Sequence, residues 1–149
     1  MFAETLEDDR LSIQGILPST PDAVTAALRD LRAHMTAVPA LAHLDPSWEI
    51  VLAEVLNNIV EHAYANCPEG EIRFQITVAP TLLQAEFCDC GRAMPNGAPP
   101  QPKPANLDVP SEDLPEGGFG WSLIHALVSR LDYTRSDGHN HLALEMPLR

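Results

Sequence analysis

The sequence predicts an α+β domain, with helices packed on one face of a mixed, mostly antiparallel sheet. Three observations carry that prediction. The elements run strand, helix, helix, two strands, loop, helix, two strands; the segment SWEIVLAEVLNNIVEHAYANC presents a broad apolar helical face; and two pairs of alternating segments are each joined by a short turn. Strands and helices segregated in this way suit stacked layers better than an alternating parallel sheet. At 149 residues and 45% hydrophobic, the chain buries one core but does not divide comfortably into two, so a single domain over residues 1–149 is expected.

Each element has its own signal. Residues 11–17, LSIQGIL, alternate apolar with small or polar side chains, and Pro18 and Pro21 then interrupt the ladder, which predicts an edge strand. Ser19-Thr20-Pro21-Asp22 supplies a capping residue and a proline at a first helical position. Val24, Leu28, Leu31 and Met35 continue at helical spacing and predict a helix over about 22–37. Asp45-Pro46 starts the strongest helix, whose face is Ile50, Leu52, Val55, Leu56, Ile59, Val60 and Ala63, and Asn66, Pro68 and Gly70 mark its end. EIRFQITVA and LLQAEFCDC read as strands joined at Pro80-Thr81 into a hairpin, with Ile72, Phe74, Ile76 and Val78 on one face.

Between Arg92 and Gly118 the composition changes. Seven of the fourteen prolines fall there together with Lys103, the one lysine of the chain, and a loop of that length predicts a lid over 92–118. Residues 119–131, FGWSLIHALVSRL, carry helical spacing through Leu123, Ile124, Leu127, Val128 and Leu131. LDYTRS and HLALEMPL, turned at Asp137-Gly138, close the chain with a second hairpin.

Charge narrows the partners. With 21 acidic against 9 basic residues the formal charge is −12, which repels phosphate backbones and anionic lipid and excludes nucleic acid and membrane surfaces as direct partners. A nucleotide is still compatible, because backbone amides and a metal ion hold a small anion locally. Residues 1–10 carry Glu4, Glu7, Asp8 and Asp9 in place of a secretory leader, and no apolar run approaches the ~20 residues that span a bilayer, so a cytoplasmic protein is expected. Cys67, Cys88 and Cys90 form no CxxC pair and read as reduced thiols; a zinc site built from Cys88, Cys90 and a histidine lacks the usual ligand spacing. His139 and His141 alternate on one face of the last hairpin with no acidic or cysteine partner evident nearby, which reads as an exposed strand edge. Trp48 and Trp121 fall at helix starts, as core or dimer-interface anchors do.

Three constellations carry chemistry. Glu54 and Asn58 project from one helix face a turn apart, so a carboxylate and an amide oxygen converge. That pair suits a magnesium-nucleotide site, in which the ion takes one or two hard protein oxygens beside phosphates and waters and a nearby carboxylate accepts a proton. Asp89-Cys90-Gly91 ends an apolar strand with a carboxylate able to accept the exocyclic amine of adenine and a glycine that lets a base approach the backbone. Gly117-Gly118-Phe119-Gly120 opens a helix whose bare amides and dipole favour phosphate oxygens. It is neither a P-loop nor a Rossmann fingerprint, since no Gly-Lys-Ser/Thr follows and no strand directly precedes it. Taken singly, each is a common surface feature.

Their order and spacing resemble the nucleotide-binding boxes of the gyrase, heat-shock chaperone, histidine kinase and MutL ATPase superfamily. Glu54 through Tyr64, E-x-x-x-N-x-x-x-H-A-Y, is similar to the N box of its anti-sigma-factor serine kinases. Asp89 through Pro95 resembles the first glycine box, and Gly117 through Ile124 the second. The likeness spans about residues 11–148. It implies a two-layer α/β sandwich with ATP between the helices beneath a mobile lid. With no dimerisation helix pair ahead of the first strand, the free-standing serine kinase branch is the expected one.

Carried over, the resemblance implies Glu54 as general base and Asn58 as magnesium ligand. It implies Asp89 as adenine contact, with Gly91, Gly117, Gly118 and Gly120 cradling the nucleotide alongside Phe119 and Lys103. His62, on the N-box helix, either contacts a phosphate or packs at the helix end. Ala93 stands where the family often has a second glycine. The implied activity is ATP-dependent phosphorylation of a serine on a small antagonist protein by a homodimeric anti-sigma factor. The competing readings are a partner-switch module that uses ATP without transferring phosphate, and a plain ATP hydrolase.

Overall fold

The computed structural model describes residues 2–100 and 118–149. Six strands form one sheet in the order β1-β2-β3-β4-β6-β5, comprising β1 (Phe2–Glu7), β2 (Arg10–Pro18), β3 (Glu71–Ala79), β4 (Leu82–Asp89), β5 (Arg130–Ser136) and β6 (His139–Pro147). The helices are α1 (Pro21–Thr36), α2 (Ser47–Asn58) and α3 (Gly118–Leu127). All of the pairings are antiparallel, so the mixed character expected of the sheet is not found; every sequential strand pair returns through a hairpin or across the helical layer.

One face of the sheet is apolar in register. Ile13, Ile76, Ala85, Leu144 and Leu131 form one row across the strands, and Phe74, Phe87 and Leu142 another. The opposite face carries Gln14, Gln75 and Glu86 in line, which keeps it wettable. The helices cover the apolar face, with α2 packed between α1 and α3. In α2, Val51, Leu52 and Val55 are fully buried, and truncating any one of the larger side chains to alanine would cost about 2–5 kcal/mol. Trp48 and Trp121 are both core residues, as expected from their positions at helix starts. Among the described residues, no helix is long and apolar enough to cross a membrane.

The capping signal for α1 acts as read. Thr20 Oγ1 accepts from the Ala23 amide at 3.1 Å, Pro21 follows it, and Val24, Leu28, Leu31 and Met35 face the sheet. Three expectations are corrected. Residues 11–17 are not an edge strand, because Phe2–Glu7 pairs outside them through the tight Asp8-Asp9 turn and becomes the edge itself. The third helix stops at Leu127 instead of Leu131. Ser129 is captured by the Glu145 carbonyl at 2.8 Å and Leu131 pairs with Leu144, so the strand period prevails over the helical one. His139 and His141 do not lie on an edge, since β6 sits between β4 and β5.

The strongest helix also changes character at its end. After Asn58 it widens into a single π-helical turn, Ile59–Ala63, closed by the Tyr64 amide on the Ile59 carbonyl at 3.0 Å. Ala65 and Asn66 follow with φ of 49° and 62°, a left-handed exit that non-glycine residues adopt only where tertiary contacts enforce it. The final hairpin turns through Asp137 and Gly138 with φ of 52° and 77°, the two positive values that a type I′ turn demands.

Candidate functional site

Two close approaches tie the constellations to α2 and the turn that follows it: Gly120 stands against Glu54 and Asn58, and Gly91 against Ala63. On α2, Glu54 and Asn58 are both half-buried. Asn58 Nδ2 donates to the Glu54 carbonyl at 2.8 Å, which ties down the amide nitrogen and, among the described residues, leaves Oδ1 as the acceptor free to meet a cation. The first turn of α3 stands directly against this pair. A Cβ on Gly120 would lie 2.5 Å from Glu54 Oε2 and 3.7 Å from Asn58 Nδ2, so glycine at residue 120 lets the Glu54 carboxylate stand against the first turn of α3.

Alternation along β4 turns Asp89 to the buried face, where it is 4% exposed. Its Oδ1 accepts from the Gly91 amide at 2.9 Å and from Asn140 Nδ2 at 2.8 Å. Among the described residues nothing bonds Oδ2, which leaves one carboxylate oxygen for a ligand donor. Gly91 follows, and a Cβ there would stand 2.4 Å from the Ala63 carbonyl oxygen. The close approach that this glycine permits is therefore to the turn after α2, where a base approaching the backbone had been expected. The Arg92 amide fastens the same contact by donating to Ala63 O at 2.7 Å.

His62 does not pack at the helix end. It rides on the π-helical turn, its ring is 66% exposed, and its nearest ionic neighbour is Glu61 at 3.9 Å. Its carbonyl accepts from the Arg92 guanidinium at 3.1 Å. Gly118 and Phe119 open α3, in the turn that ends at Gly120. Lys103 and Gly117 lie outside the described residues, as does most of the lid expected over 92–118. At the near end of that span, Pro95–Gly97 makes one tight turn and the Pro100 carbonyl meets His125 Nε2 at 2.9 Å. No group of three or more His, Cys, Asp or Glu side chains converges on a common point among the described residues.

Four residues of the site were given no role from the sequence, Tyr64 among them although it closes the N-box motif. Tyr64 joins three segments: its hydroxyl donates to the Glu71 carbonyl at 2.6 Å and accepts from the Cys90 amide at 2.8 Å. Burial pushes the Tyr64 phenol above its ordinary pKa. Asn140, Tyr133 and Arg135 come from the final hairpin. Tyr133 OH and Arg135 Nη1 both donate to Asn140 Oδ1, at 2.5 and 2.8 Å, and Asn140 Nδ2 in turn reaches Asp89. The available signal was Asn140 itself, a polar residue on the inward phase of the run Asn140, Leu142, Leu144, Met146, where a buried amide must find partners.

With this geometry in hand, comparison with known proteins gives three results. A family model described as a histidine kinase-like ATPase domain matches residues 17–146. The serine/threonine-protein kinase BtrW of Bordetella bronchiseptica is 34% identical over 92 residues, which is 61% of this chain and 62% of that protein. The match thus spans less than two thirds of that relative's length. The crystal structure of the RsbU and RsbW domains of Rv1364c from Mycobacterium tuberculosis aligns with a TM-score of 0.52 at 21% identity, covering 93% of this chain and 33% of the other, a likeness of fold alone.

Proposed function

The chain belongs to the histidine kinase-like ATPase domain family, and on that premise we propose that it is a magnesium-ATP-dependent protein serine kinase acting as an anti-sigma factor, with a serine of a small antagonist protein as acceptor. The observation that carries the reading is the approach of Gly120 to Glu54 and Asn58, which sets a carboxylate, a free amide oxygen and a glycine-opened helix within one small volume.

The residues present fit the group. Asn58 Oδ1 is a hard oxygen donor freed by the bond that its own nitrogen makes. A magnesium ion that keeps waters and takes phosphate oxygens needs no more than one or two protein ligands. The first amides of α3 would face phosphate, and Asp89 Oδ2 would accept the adenine amine. Gly91 adjoins the base contact, and Phe119, Gly118, Gly117 and Lys103 would border the phosphates. Bound there, magnesium-ATP supplies the transferable phosphoryl group and the charge that offsets its oxygens.

The chain's own part is positioning and one proton transfer. Glu54 would take the proton from the serine hydroxyl as that oxygen bonds to the γ-phosphorus and the bond to the departing ADP breaks. Gly120 leaves Glu54 room to do this without displacing α3. The relative's name, serine/threonine-protein kinase, supports the choice of reaction. A sigma factor as competing partner, a homodimeric assembly and a cytoplasmic site of action complete the reading.

The test is incubation with γ-labelled ATP, magnesium and a panel of small antagonist-domain proteins. Label is expected on a serine of one of them with the wild type and on none with Glu54→Gln. Release of free phosphate with no labelled protein would replace the kinase by a hydrolase. Binding of ATP without either product would leave a partner-switch module.

A further inference from the structure

Resting on Asp89 as the adenine contact, we propose that Asn140 and Arg135 are positioning residues that give the site its preference for a 6-amino purine over a 6-oxo purine. Register places Asn140 opposite Asp89 on β4 and opposite Arg135 on β5, and Asn140 is 4% exposed. Its hydrogen-bonding positions are filled. Nδ2 donates to Asp89 Oδ1 and to the Arg92 carbonyl, both at 2.8 Å, and Oδ1 accepts from Tyr133 OH at 2.5 Å and Arg135 Nη1 at 2.8 Å.

The Arg135 cation decides which way the amide faces. Reversed, Asn140 would point its NH2 group at a guanidinium that only donates, so the carbonyl must face Arg135 and the NH2 must face Asp89. Asp89 Oδ1 then receives two donors, from Asn140 and from the Gly91 amide, and Oδ2 is held in place as the acceptor left for a ligand. A 6-amino group donates to that oxygen, whereas a 6-oxo group presents a second acceptor and is repelled.

The same side chains fasten the loop beside the carboxylate. Arg135 Nη1 also donates to the Gly91 carbonyl at 2.9 Å, and the Met94 amide donates to Tyr133 OH at 3.0 Å. The final hairpin therefore holds residues 89–94 as a unit. Base discrimination belongs to this hairpin as well as to Asp89, although neither Asn140 nor Arg135 needs to touch nucleotide.

The experiment is displacement of a fluorescent ATP analogue by ATP and by GTP, with magnesium, from wild type, Asn140→Ala, Arg135→Met and Arg135→Lys, alongside melting curves without nucleotide. Asn140→Ala and Arg135→Met are expected to lose about tenfold in ATP affinity with little change for GTP, so the ATP-to-GTP ratio falls about tenfold. Arg135→Lys keeps a cation and donors for both acceptors and preserves the ratio. Arg135 lies at the surface, so its variants fold even where Asn140→Ala does not. The proposal is overturned by a ratio within about twofold of wild type in Arg135→Met, by Arg135→Lys behaving like Arg135→Met, or by parallel loss of both nucleotides in step with the melting temperature. A wild type that binds neither nucleotide fails the nucleotide reading of the site and takes this proposal with it. A wild type that binds ATP with an unchanged ratio in the variants fails this proposal alone.

Discussion

Gly120 and Glu54 touch in a way that allows no side chain between them, since a Cβ on the one would stand 2.5 Å from Oε2 of the other. The obstructing atom is the far end of a flexible side chain, and alanine is the better helix former by about 1 kcal/mol. Gly120→Ala should therefore melt within a few degrees of wild type while displacing the carboxylate. Phosphotransfer is expected to fall about 100-fold, as misplacement of a catalytic group by an ångström does. Melting curves and single-turnover transfer on the same preparation check the two halves together, and a substantially lowered melting temperature would contradict the assignment.

Gly91 behaves differently, because its missing Cβ would meet backbone. With Ala63 O at 2.4 Å and Ala63 C at 2.5 Å, Gly91→Ala forces the loop away from the π-helical turn. A stability loss of about 1–3 kcal/mol is expected, as for other overpacked contacts. Chemical denaturation without nucleotide should read it directly, and nucleotide affinity should fall with it because Asp89 adjoins the displaced segment.

Glu54 and Asp89 separate chemistry from binding. Glu54→Gln keeps its size and removes the proton acceptor, so magnesium-ATP affinity is expected to stay within about threefold while transfer drops by 10²–10⁴, roughly the range of a general base. Asp89→Asn replaces a charged acceptor by an amide and should weaken ATP about 10–100-fold, the equivalent of about 1.5–3 kcal/mol for a hydrogen bond to a charged group. Calorimetric titration of both variants distinguishes these roles. Equal loss of affinity in the two would merge them.

Asp45 provides a pH-dependent check on the fold that is independent of the site. Its Oδ1 accepts from the Ser47 amide at 2.9 Å at the start of α2, and that bond, helped by the Ser47 hydroxyl and by Arg149, holds the carboxyl below its ordinary value of 3.8. A folded-state pKa lower than the unfolded one adds stability that is fully present above about pH 3.8 and is lost as pH falls through the lowered folded value. Asp45→Asn keeps the acceptor and abolishes that titration. Its melting temperature should lie closer to wild type at pH 3 than at pH 6, and a constant gap between the two would rule the linkage out.

Local pattern was sufficient for much of the molecule. Thr20-Pro21 marked the start of α1, apolar spacing identified the buried face of α2, and Asp137-Gly138 predicted a turn whose two positive φ values the structure adopts. Glu54 and Asn58 were legible because a helix brings residues four apart together whatever surrounds it. Asp89 was legible as a carboxylate at the end of an apolar strand. These are statements about a residue and its near neighbours along the chain, where backbone period alone determines which side chains share a face.

Contacts between distant segments followed a different logic. Residues 1–10 were read for their acids alone and given no element, yet Phe2–Glu7 pairs as β1, with Glu4 matched by His34 Nδ1 at 2.8 Å. Leu131 fits either period, and only pairing with Leu144 assigns it to β5. Asn140 and Asp89 are 51 residues apart and meet because the β4–β6 register places them opposite each other at the buried end of the sheet. The sequence by itself determined which residues could line a face and which motifs could hold a nucleotide. The tertiary structure decided which faces meet, because a buried polar or charged group is stable only where the folded chain delivers its partner.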